Sequence, residues 1–394
     1  MVHAPADAHS VYEILEALVS FPTVSSESNL PLIDWVEEWL SLRGITGTRV
    51  YDESGQKAAF YAHTGPMEAG AVVLSGHTDV VPVEGQEWTS DPYVLTRRGS
   101  RIYGRGACDM KGFDALALWA MGQAAERGVA RPLQIALSYD EEVGCVGAPP
   151  MIDHMIASGL PKGDVVFVGE PSNMGVVTGH KGGYGWTVHV KGFEVHSSLM
   201  HTGVSAILEG SRLLMWINEM NDENRAKEPK GSDAMFEPPW TTVHCGKAWG
   251  GTAHNITAAD FHMGVDFRLV PGDDIKVWEE RLMTKVAELE APMKAIHPDA
   301  GFIMTPRFHV PALRPEADGP AERLARQMTG DNGSHVVSYG TEAGQFQERG
   351  YSAVVCGPGD IAQAHQPDEF IEASELEKGQ AFMERLLDHL ATPV

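Results

Sequence analysis

The chain has 394 residues, with 30 lysines and arginines against 54 aspartates and glutamates, so its formal net charge is −24. Such an excess of negative charge argues against binding to nucleic acid or to anionic membranes, and it mildly favours a cationic substrate. The length is sufficient for two domains.

The four cysteines, at positions 108, 145, 245 and 356, are scattered and form no Cys-x-x-Cys motif. Neither a disulfide framework nor a cysteine zinc site is therefore expected. No apolar run approaches the ~18–20 residues needed to cross a membrane, and residues 1–7 lack the charged-then-apolar pattern of a signal peptide. We expect a cytoplasmic protein.

The first chemically informative segment covers residues 71–82. The apolar run 71–74 predicts a buried strand, so His77 and Asp79 would emerge at the strand end, where α/β proteins place their sites. A carboxylate two residues from an imidazole can accept its second N–H and orient a metal-binding histidine. Taken alone, such a pair more often caps a turn.

Carboxylates follow at the start of a helix and at the end of a second strand. Asp109 precedes the apolar helical pattern 113–121, where on its own it would be interpreted as a helix N-cap. The strand-like run 133–137 leads into three consecutive carboxylates at 140–142. This crowding of charge is costly without a cation, although a solvated acidic loop is the simpler alternative.

Two later segments repeat the pattern of a strand that ends in a polar group. The run 165–168 leads to Glu170, and the run 352–355 leads into residues 356–370, which contain His365. Imidazole and carboxylate groups are therefore predicted to meet at one edge of a sheet.

The order of helix and strand patterns predicts an α/β fold, with a largely parallel mixed sheet and helices on both faces. Between Glu170 and Glu342 the order changes to βαββαβ, which predicts an α+β domain inserted into the larger one. The catalytic domain is placed at residues 1–180 and 313–394, and the insert at 181–312. Within the insert, the polar segment 221–237 is predicted to be a flexible loop.

Taken together, the motifs resemble the di-zinc acetylornithine deacetylase and succinyl-diaminopimelate desuccinylase family of amidohydrolases over nearly the whole chain. The segments that carry the resemblance, in the order of the family, are residues 77–79, 104–112, 140–142, 169–171, 340–343 and 357–369. The last two of these look most like the acetylornithine deacetylase branch. The resemblance implies a zinc-peptidase-like catalytic domain and an insert that serves as lid and dimerisation domain.

The resemblance also implies a metal centre. One zinc ion would be held by His77 and Glu170, a second by Glu142 and His365, and Asp109 would bridge the two. Imidazole and carboxylate suit Zn²⁺, although Co²⁺ or Mn²⁺ could use the same ligands.

Two further roles follow from the resemblance. Asp79 would orient His77, and Glu141 would be the general base that takes a proton from the water bridging the metals as it attacks the acyl carbonyl. The peptide bond between residues 109 and 110 is expected to be cis.

Candidate substrate-binding residues lie mainly in the insert. The resemblance implies that His196 stabilises the oxyanion in the active site of the partner subunit of a homodimer, while Asn255 and Arg268 hold the substrate's α-carboxylate. Lys181 and Thr341 are weaker candidates. Without the resemblance, His196 would be interpreted as a surface turn residue and Arg268 as half of a strand salt bridge.

The implied reaction is hydrolysis of a small N-acyl amino acid, first of all N²-acetyl-L-ornithine to L-ornithine and acetate. Another N-acyl-amino-acid deacylase, such as a succinyl-diaminopimelate desuccinylase, or a dipeptidase or carboxypeptidase, would use the same chemistry. Val195 stands where the family usually has a small residue, which leaves the substrate open. A catalytically silent metal-binding protein is the alternative of a different class.

Overall fold

The structure, a computed structural model, describes residue 6 and residues 8–393, so the signal-peptide prediction lies almost wholly outside the described residues. The described chain divides into two compact units. The larger unit comprises the described residues within 1–179, 313–336 and 341–394, and the inserted unit comprises His180–Ala312 and Val337–Gly340.

The secondary-structure elements are numbered in chain order within the described residues. The helices are α1 Val11–Val19, α2 Leu30–Ser41, α3 Lys111–Arg127, α4 Ala148–Ala157, α5 Ala206–Arg225, α6 Ile275–Ile296, α7 Pro320–Thr329, α8 Ala343–Glu348 and α9 Ala373–Leu390. The strands are β1 Gly47–Tyr51, β2 Ala58–Thr64, β3 Ala71–His77, β4 Thr96–Arg98, β5 Arg101–Tyr103, β6 Leu133–Ser138, β7 Gly163–Pro171, β8 Val177–His180, β9 Gly182–Lys191, β10 Thr242–His244, β11 Ala248–Gly250, β12 Asp260–Leu269, β13 Gly301–Val310, β14 His335–Val337, β15 Ser352–Gly357 and β16 Phe370–Glu372.

The larger unit is built on a mixed sheet with the strand order β1-β2-β6-β3-β7-β15-β8-β14. Its central strands β6, β3, β7 and β15 are parallel, whereas β2 runs antiparallel to β6 and β8 runs antiparallel to β15. Every residue of β3 and β6 is buried, as expected for parallel strands that are covered on both faces. The predicted α/β fold with a largely parallel mixed sheet is confirmed.

Helices cover the sheet in two layers. On one face, Leu74, Ile135 and Phe167 belong to a single apolar core with α1, α2, α3, α7 and α9, in which the rings of Phe167 and Phe382 meet edge to face at 5.2 Å. On the other face, α4 packs against β2 and β6, and α8 packs against β7 and β15. Because the central strands are parallel, the segments that follow β3, β6, β7 and β15 all leave the same edge of the sheet.

The inserted unit contains an antiparallel sheet with the strand order β10-β12-β9-β13, and β11 also pairs with β12. Helices α5 and α6 pack on this sheet and bury an apolar core that includes Trp186, Val188, Leu213 and Met263. Residues of β12 alternate between buried and partly exposed, so its second face is not covered by these helices. The order of elements is the predicted βαββαβ order with the short β11 added.

The prediction of a loop over residues 221–237 was wrong at its start, because α5 continues to Arg225. Polar side chains on this last turn bind the neighbouring strand segment. The Asn221 amide donates to the carbonyl of Val243 at 2.7 Å and accepts from its N–H at 2.9 Å, and the buried Asn224 amide donates to the carbonyl of Thr241 at 2.7 Å. Their polarity therefore serves strand contacts rather than solvent exposure.

Within the described part of the chain, none of the helices combines the length and the apolar composition that crossing a lipid bilayer requires.

Candidate metal centre

The carboxyl edge of the central sheet brings together the side chains that the sequence singled out. His77 is the last residue of β3, and Glu170 lies one residue before the end of β7. Glu142 follows β6, and His365 follows β15. Asp109 lies two residues before α3, and the N-cap of that helix is Met110, so Asp109 does not serve as the N-cap.

These residues form two groups that share Asp109. Nε2 of His77 lies 3.2 Å from Oδ1 of Asp109 and 3.6 Å from Oε1 of Glu170. Nε2 of His365 lies 3.2 Å from Oδ2 of Asp109 and 2.9 Å from Oε2 of Glu142. Asp109 thus presents a different oxygen to each histidine, and the possible ligand atoms within each group all lie within 4.8 Å of one another.

The predicted metal ligands are buried to different extents. The side chains of His77, Asp109, Glu170 and Glu142 are only 1%, 5%, 6% and 7% exposed, whereas that of His365 is 49% exposed. The cluster is therefore sealed within the larger unit on the His77 side and opens to its surface beside His365.

Burial of so many carboxylates leaves their negative charge poorly compensated. It raises the pKa of Glu142 to about 8, with repulsion from Asp109 adding to the effect, and it raises the pKa of Glu170 well above its usual value. Burial also raises the pKa of Asp109, but hydrogen bonds from His365 and His77 outweigh it and hold that pKa below its ordinary range.

The histidines respond in the opposite direction. Hydrogen bonds to Asp109 and Glu142 raise the pKa of His365 to about 10. Burial lowers the pKa of His77, but its bonds to Asp109 and Asp79 dominate and raise it well above the ordinary value. In the protein alone, the raised pKa values of both imidazoles favour their protonated form, which offsets part of the negative charge of the carboxylates.

The donor set of two imidazoles and three carboxylates fits a pair of divalent cations, which would supply the positive charge that the pocket requires. His77, Asp109 and Glu170 would hold one ion, and Asp109, Glu142 and His365 would hold the other.

Asp79 contacts His77 in a way that the sequence motif does not reveal. Nδ1 of His77 lies 2.9 Å from the backbone carbonyl of Asp79 and 3.5 Å from its carboxylate. The carboxylate accepts the backbone N–H groups of Glu141 and Glu142, at 3.0 and 3.3 Å, and the hydroxyl of Ser25 at 2.7 Å. Asp79 therefore ties the histidine to the acidic turn after β6.

The acidic turn at 140–142 is held by partners that are distant in sequence. The ammonium of Lys57 binds both carboxylate oxygens of Asp140, at 2.5 and 2.7 Å, and the carbonyl of Ser25. The thiol of Cys145 donates to Oε1 of Glu141 at 3.1 Å, and burial raises the pKa of this thiol so that it keeps its proton. Asp140 itself has a left-handed backbone with φ 56°. The turn is therefore a constrained structure, not a solvated loop.

A buried ion pair supports the backbone at Asp109. Arg105 and Glu369 are each 1% exposed, and Nη1 of Arg105 donates to Oε2 of Glu369 at 2.6 Å. The other oxygen of Glu369 accepts the backbone N–H groups of Cys108 at 2.9 Å and Asp109 at 3.1 Å. The Asp109–Met110 peptide bond is cis, as the resemblance implied.

Glu342 is a further buried carboxylate, which lies outside the predicted set of metal ligands. It accepts hydrogen bonds from the hydroxyls of Ser138 and Ser75, and burial raises its pKa to about 7. The preceding residue, Thr341, is also buried, and its hydroxyl accepts the N–H of Ala343 at 3.1 Å. The role of Thr341 in substrate binding stays a prediction.

Four of the residues predicted to contact the substrate or its oxyanion, His196, Asn255, Arg268 and Lys181, belong to the inserted unit. His196 and Asn255 are exposed, and Nδ1 of His196 lies 2.8 Å from the Ser198 hydroxyl. Arg268 is 43% exposed, and its Nε donates to Asp266 on the same strand at 3.1 Å, which is the simple salt bridge that the residue alone would suggest. Lys181 is fully buried, and its ammonium donates to the carbonyls of Pro238 and Trp240. The roles of these residues in substrate binding stay predictions.

Comparison with known proteins identifies the class of protein that this fold and site represent. The model of peptidase family M20/M25/M40 matches residues 73–389, and the chain belongs to this family. It is thus a metal-dependent amidohydrolase, and the resemblance inferred from the motifs is confirmed.

Individual relatives are similar to this chain over nearly its whole length. An acetylornithine deacetylase from Myxococcus xanthus is 34% identical over 380 residues, which cover 95% of this chain and 96% of that protein. An acetylornithine deacetylase from Pasteurella multocida is 32% identical over 393 residues, 97% of this chain and 98% of that protein. Among solved structures, an M20 family metallo-carboxypeptidase from Sulfolobus solfataricus is similar with a TM-score of 0.77 at 18% identity, covering 96% of this chain and 99% of that chain. This structure shares the fold.

The substitution Glu369→Gln tests the buried support of Asp109. It leaves the Arg105 guanidinium buried without its charge partner, so we expect the free energy of unfolding to fall by about 3–5 kcal/mol, measured by chemical denaturation. Glu372→Gln is the matched control, because Glu372 pairs with Arg101 at the surface and should matter little. Equal effects of the two substitutions would contradict this interpretation.

Proposed function

We propose that this protein hydrolyses N-acyl amino acids, with N²-acetyl-L-ornithine as the preferred substrate, and uses two zinc ions. The observation that carries the proposal is the pair of ligand groups that share Asp109, with Glu141 beside them on the acidic turn. The names of the relatives from Myxococcus xanthus and Pasteurella multocida favour acetylornithine over other amides.

The residues have distinct parts in this reaction. Two cations bound at this centre would polarise the acyl carbonyl and lower the pKa of the attacking water. Glu141 accepts the proton from that water and returns it to the departing amine, so that amide and water become carboxylate and amine. Asp79 contacts both the metal-ligand residue His77 and the N–H of the base Glu141, so it positions these two residues relative to each other.

Glu141 is suited to move a proton because of its surroundings. Burial raises its pKa to about 7 in the protein alone, against the lowering effect of His77, and the only hydrogen bond that its carboxylate makes in the described structure comes from Cys145. Glu142, the next residue, instead contacts His365. The two adjacent carboxylates thus point to different partners, which supports one as a base and the other as a ligand.

Substitution of these two neighbours by glutamine separates their roles. We expect Glu141→Gln to keep its bound metal and to lose about 10²–10⁴-fold in kcat, the usual contribution of a general base. Glu142→Gln should lose metal, since it removes a charged ligand. Metal content by atomic emission and amine release report on both, with the exposed Glu53→Gln as control. Full activity of metal-loaded Glu141→Gln would refute the mechanism and favour another base.

A substrate panel tests the specificity. Amine release by the zinc- or cobalt-loaded protein should be fastest with N²-acetyl-L-ornithine, slower with other N-acetyl amino acids and succinyl-diaminopimelate, and slowest with dipeptides, and a chelator should abolish it. Preference for dipeptides would reassign the substrate while keeping the metal centre. Absence of turnover with both metals bound would instead support a catalytically silent protein.

We further propose that the protein is a homodimer through the inserted unit, and that His196 completes the active site of the partner subunit by stabilising the oxyanion. Exposed apolar side chains on this unit, including Leu199, Met200, Leu208 and Met215, support a self-association surface. In the same proposal Asn255 and Arg268 bind the α-carboxylate of the substrate, for which an arginine fork is suited.

Mixing two inactive variants tests the shared site. Glu141→Gln and His196→Ala should each be inactive alone, whereas their mixture, after subunit exchange, should regain activity. In a mixed dimer the His196→Ala subunit keeps Glu141 and receives His196 of the partner subunit. A dimer that regains no activity after proven exchange would place His196 in its own subunit's reaction, and a His196→Ala variant that is active alone would place it outside the reaction.

A further inference from the structure

A second group of metal-ligating side chains lies on the sheet of the inserted unit, formed by His189, Asp260 and His262. None of the three has a part in the proposed hydrolysis. His189 on β9 stands directly opposite His262 on β12, and Asp260 precedes His262 by two residues on its strand. All three side chains therefore share one face of the sheet.

The three side chains are already close together. Nε2 of His189 lies 2.7 Å from Oδ1 of Asp260, and the two imidazole rings are stacked at 4.2 Å with an angle of 14° between their planes. One possible ligand atom from each residue lies within 4.8 Å of the others. Ligands at ~2.0–2.2 Å from one zinc ion are at most about 4.4 Å apart, so the three possible ligand atoms already lie near the separations that one ion requires, and rotation of the side chains would direct them to it.

A tryptophan holds one of the imidazoles in place. Trp249 on β11 is the register partner of His262, and the two rings stack at 5.2 Å with an angle of 13°. His262 therefore lies between Trp249 and His189 in a row of rings that crosses three strands. This stacking restricts the imidazole and gives the group an apolar neighbour, as in sites where surrounding residues orient the ligands.

The composition of the group separates it from an ordinary surface ion pair. An ordinary surface ion pair would consist of Asp260 and His189 only, and partly exposed carboxylates are common without a bound metal. Here a second histidine, His262, lies beside the pair. Two imidazoles and one carboxylate that lie side by side on adjacent strands are the ligand types that Zn²⁺, Ni²⁺ and Cu²⁺ bind.

We propose that His189, Asp260 and His262 bind one divalent transition-metal ion, with water completing its coordination. Such an ion joins β9 to β12 in the inserted unit. The site is separate from the Asp109 groups, and it does not depend on the proposed reaction.

Zinc titration of the untagged, metal-free protein by calorimetry tests this site. His189→Asn and His262→Asn should each bind one equivalent fewer than the unsubstituted protein. His244→Asn is the matched control, because His244 lies on β10 of the same sheet, opposite Asp266, and outside the group. Since every variant keeps the Asp109 groups, their zinc cancels in the comparison. The same number of equivalents in all four proteins would overturn the proposal.

Milder substitutions guard against damage to the fold. Asp260→Asn keeps both imidazoles but removes the charged ligand, so it should weaken binding of this equivalent by at least about 10–100-fold, the loss expected even for a partner outside the coordination shell, while far-ultraviolet circular dichroism stays unchanged. Undiminished affinity in Asp260→Asn would remove the carboxylate from the proposed site and contradict it.

Trp249 provides a local signal. Cu²⁺ bound to His262 should quench the fluorescence of Trp249. The quenching that accompanies binding of this ion should therefore be absent in His262→Asn and in Trp249→Phe. Trp249→Phe should nevertheless still bind the ion. Quenching that is the same in all three proteins would place the ion elsewhere.

Discussion

The structure of the larger unit depends on the position of one buried carboxylate, Asp109, between two histidines. Its oxygens face His77 and His365 separately, and Glu170 and Glu142 add further negative charge to the same small volume. Such an arrangement is unfavourable unless positive charge is present. In the protein alone the pKa values of His77 and His365 are raised, which favours their positively charged form. A pair of divalent cations would supply more positive charge.

The fold supports this arrangement through contacts between residues that are far apart in sequence. Glu369 accepts the backbone N–H of Asp109, and Lys57 binds Asp140 on the turn that carries Glu141 and Glu142. Asp79 bonds to that turn as well as to His77. Asp109, His77 and the turn that carries Glu142 are therefore held through their backbone or a neighbour, which opposes displacement by repulsion among the carboxylates.

The sequence predicted the sheet and the clustered residues because both depend on local pattern. Apolar runs marked the parallel strands, and parallel strands bring the residues at their ends to one edge, which explains the placement of His77, Glu170 and His365. The partners of these residues were not predictable, since Arg105 with Glu369 and Ser138 with Glu342 pair across more than 200 positions. The end of α5 was mispredicted because polar Asn221 and Asn224 bind a strand segment.

The chain thus holds histidine and carboxylate groups in two different electrostatic settings. At Asp109 the groups are buried, and the pKa values of Glu142 and Glu170 are raised because desolvation makes an uncompensated charge expensive. At His189 the side chain is 27% exposed and that of Asp260 is 57% exposed, so water screens their charges. A bound cation would therefore act mainly by balancing charge at the first group, whereas at the second group it would act mainly as a link between two strands.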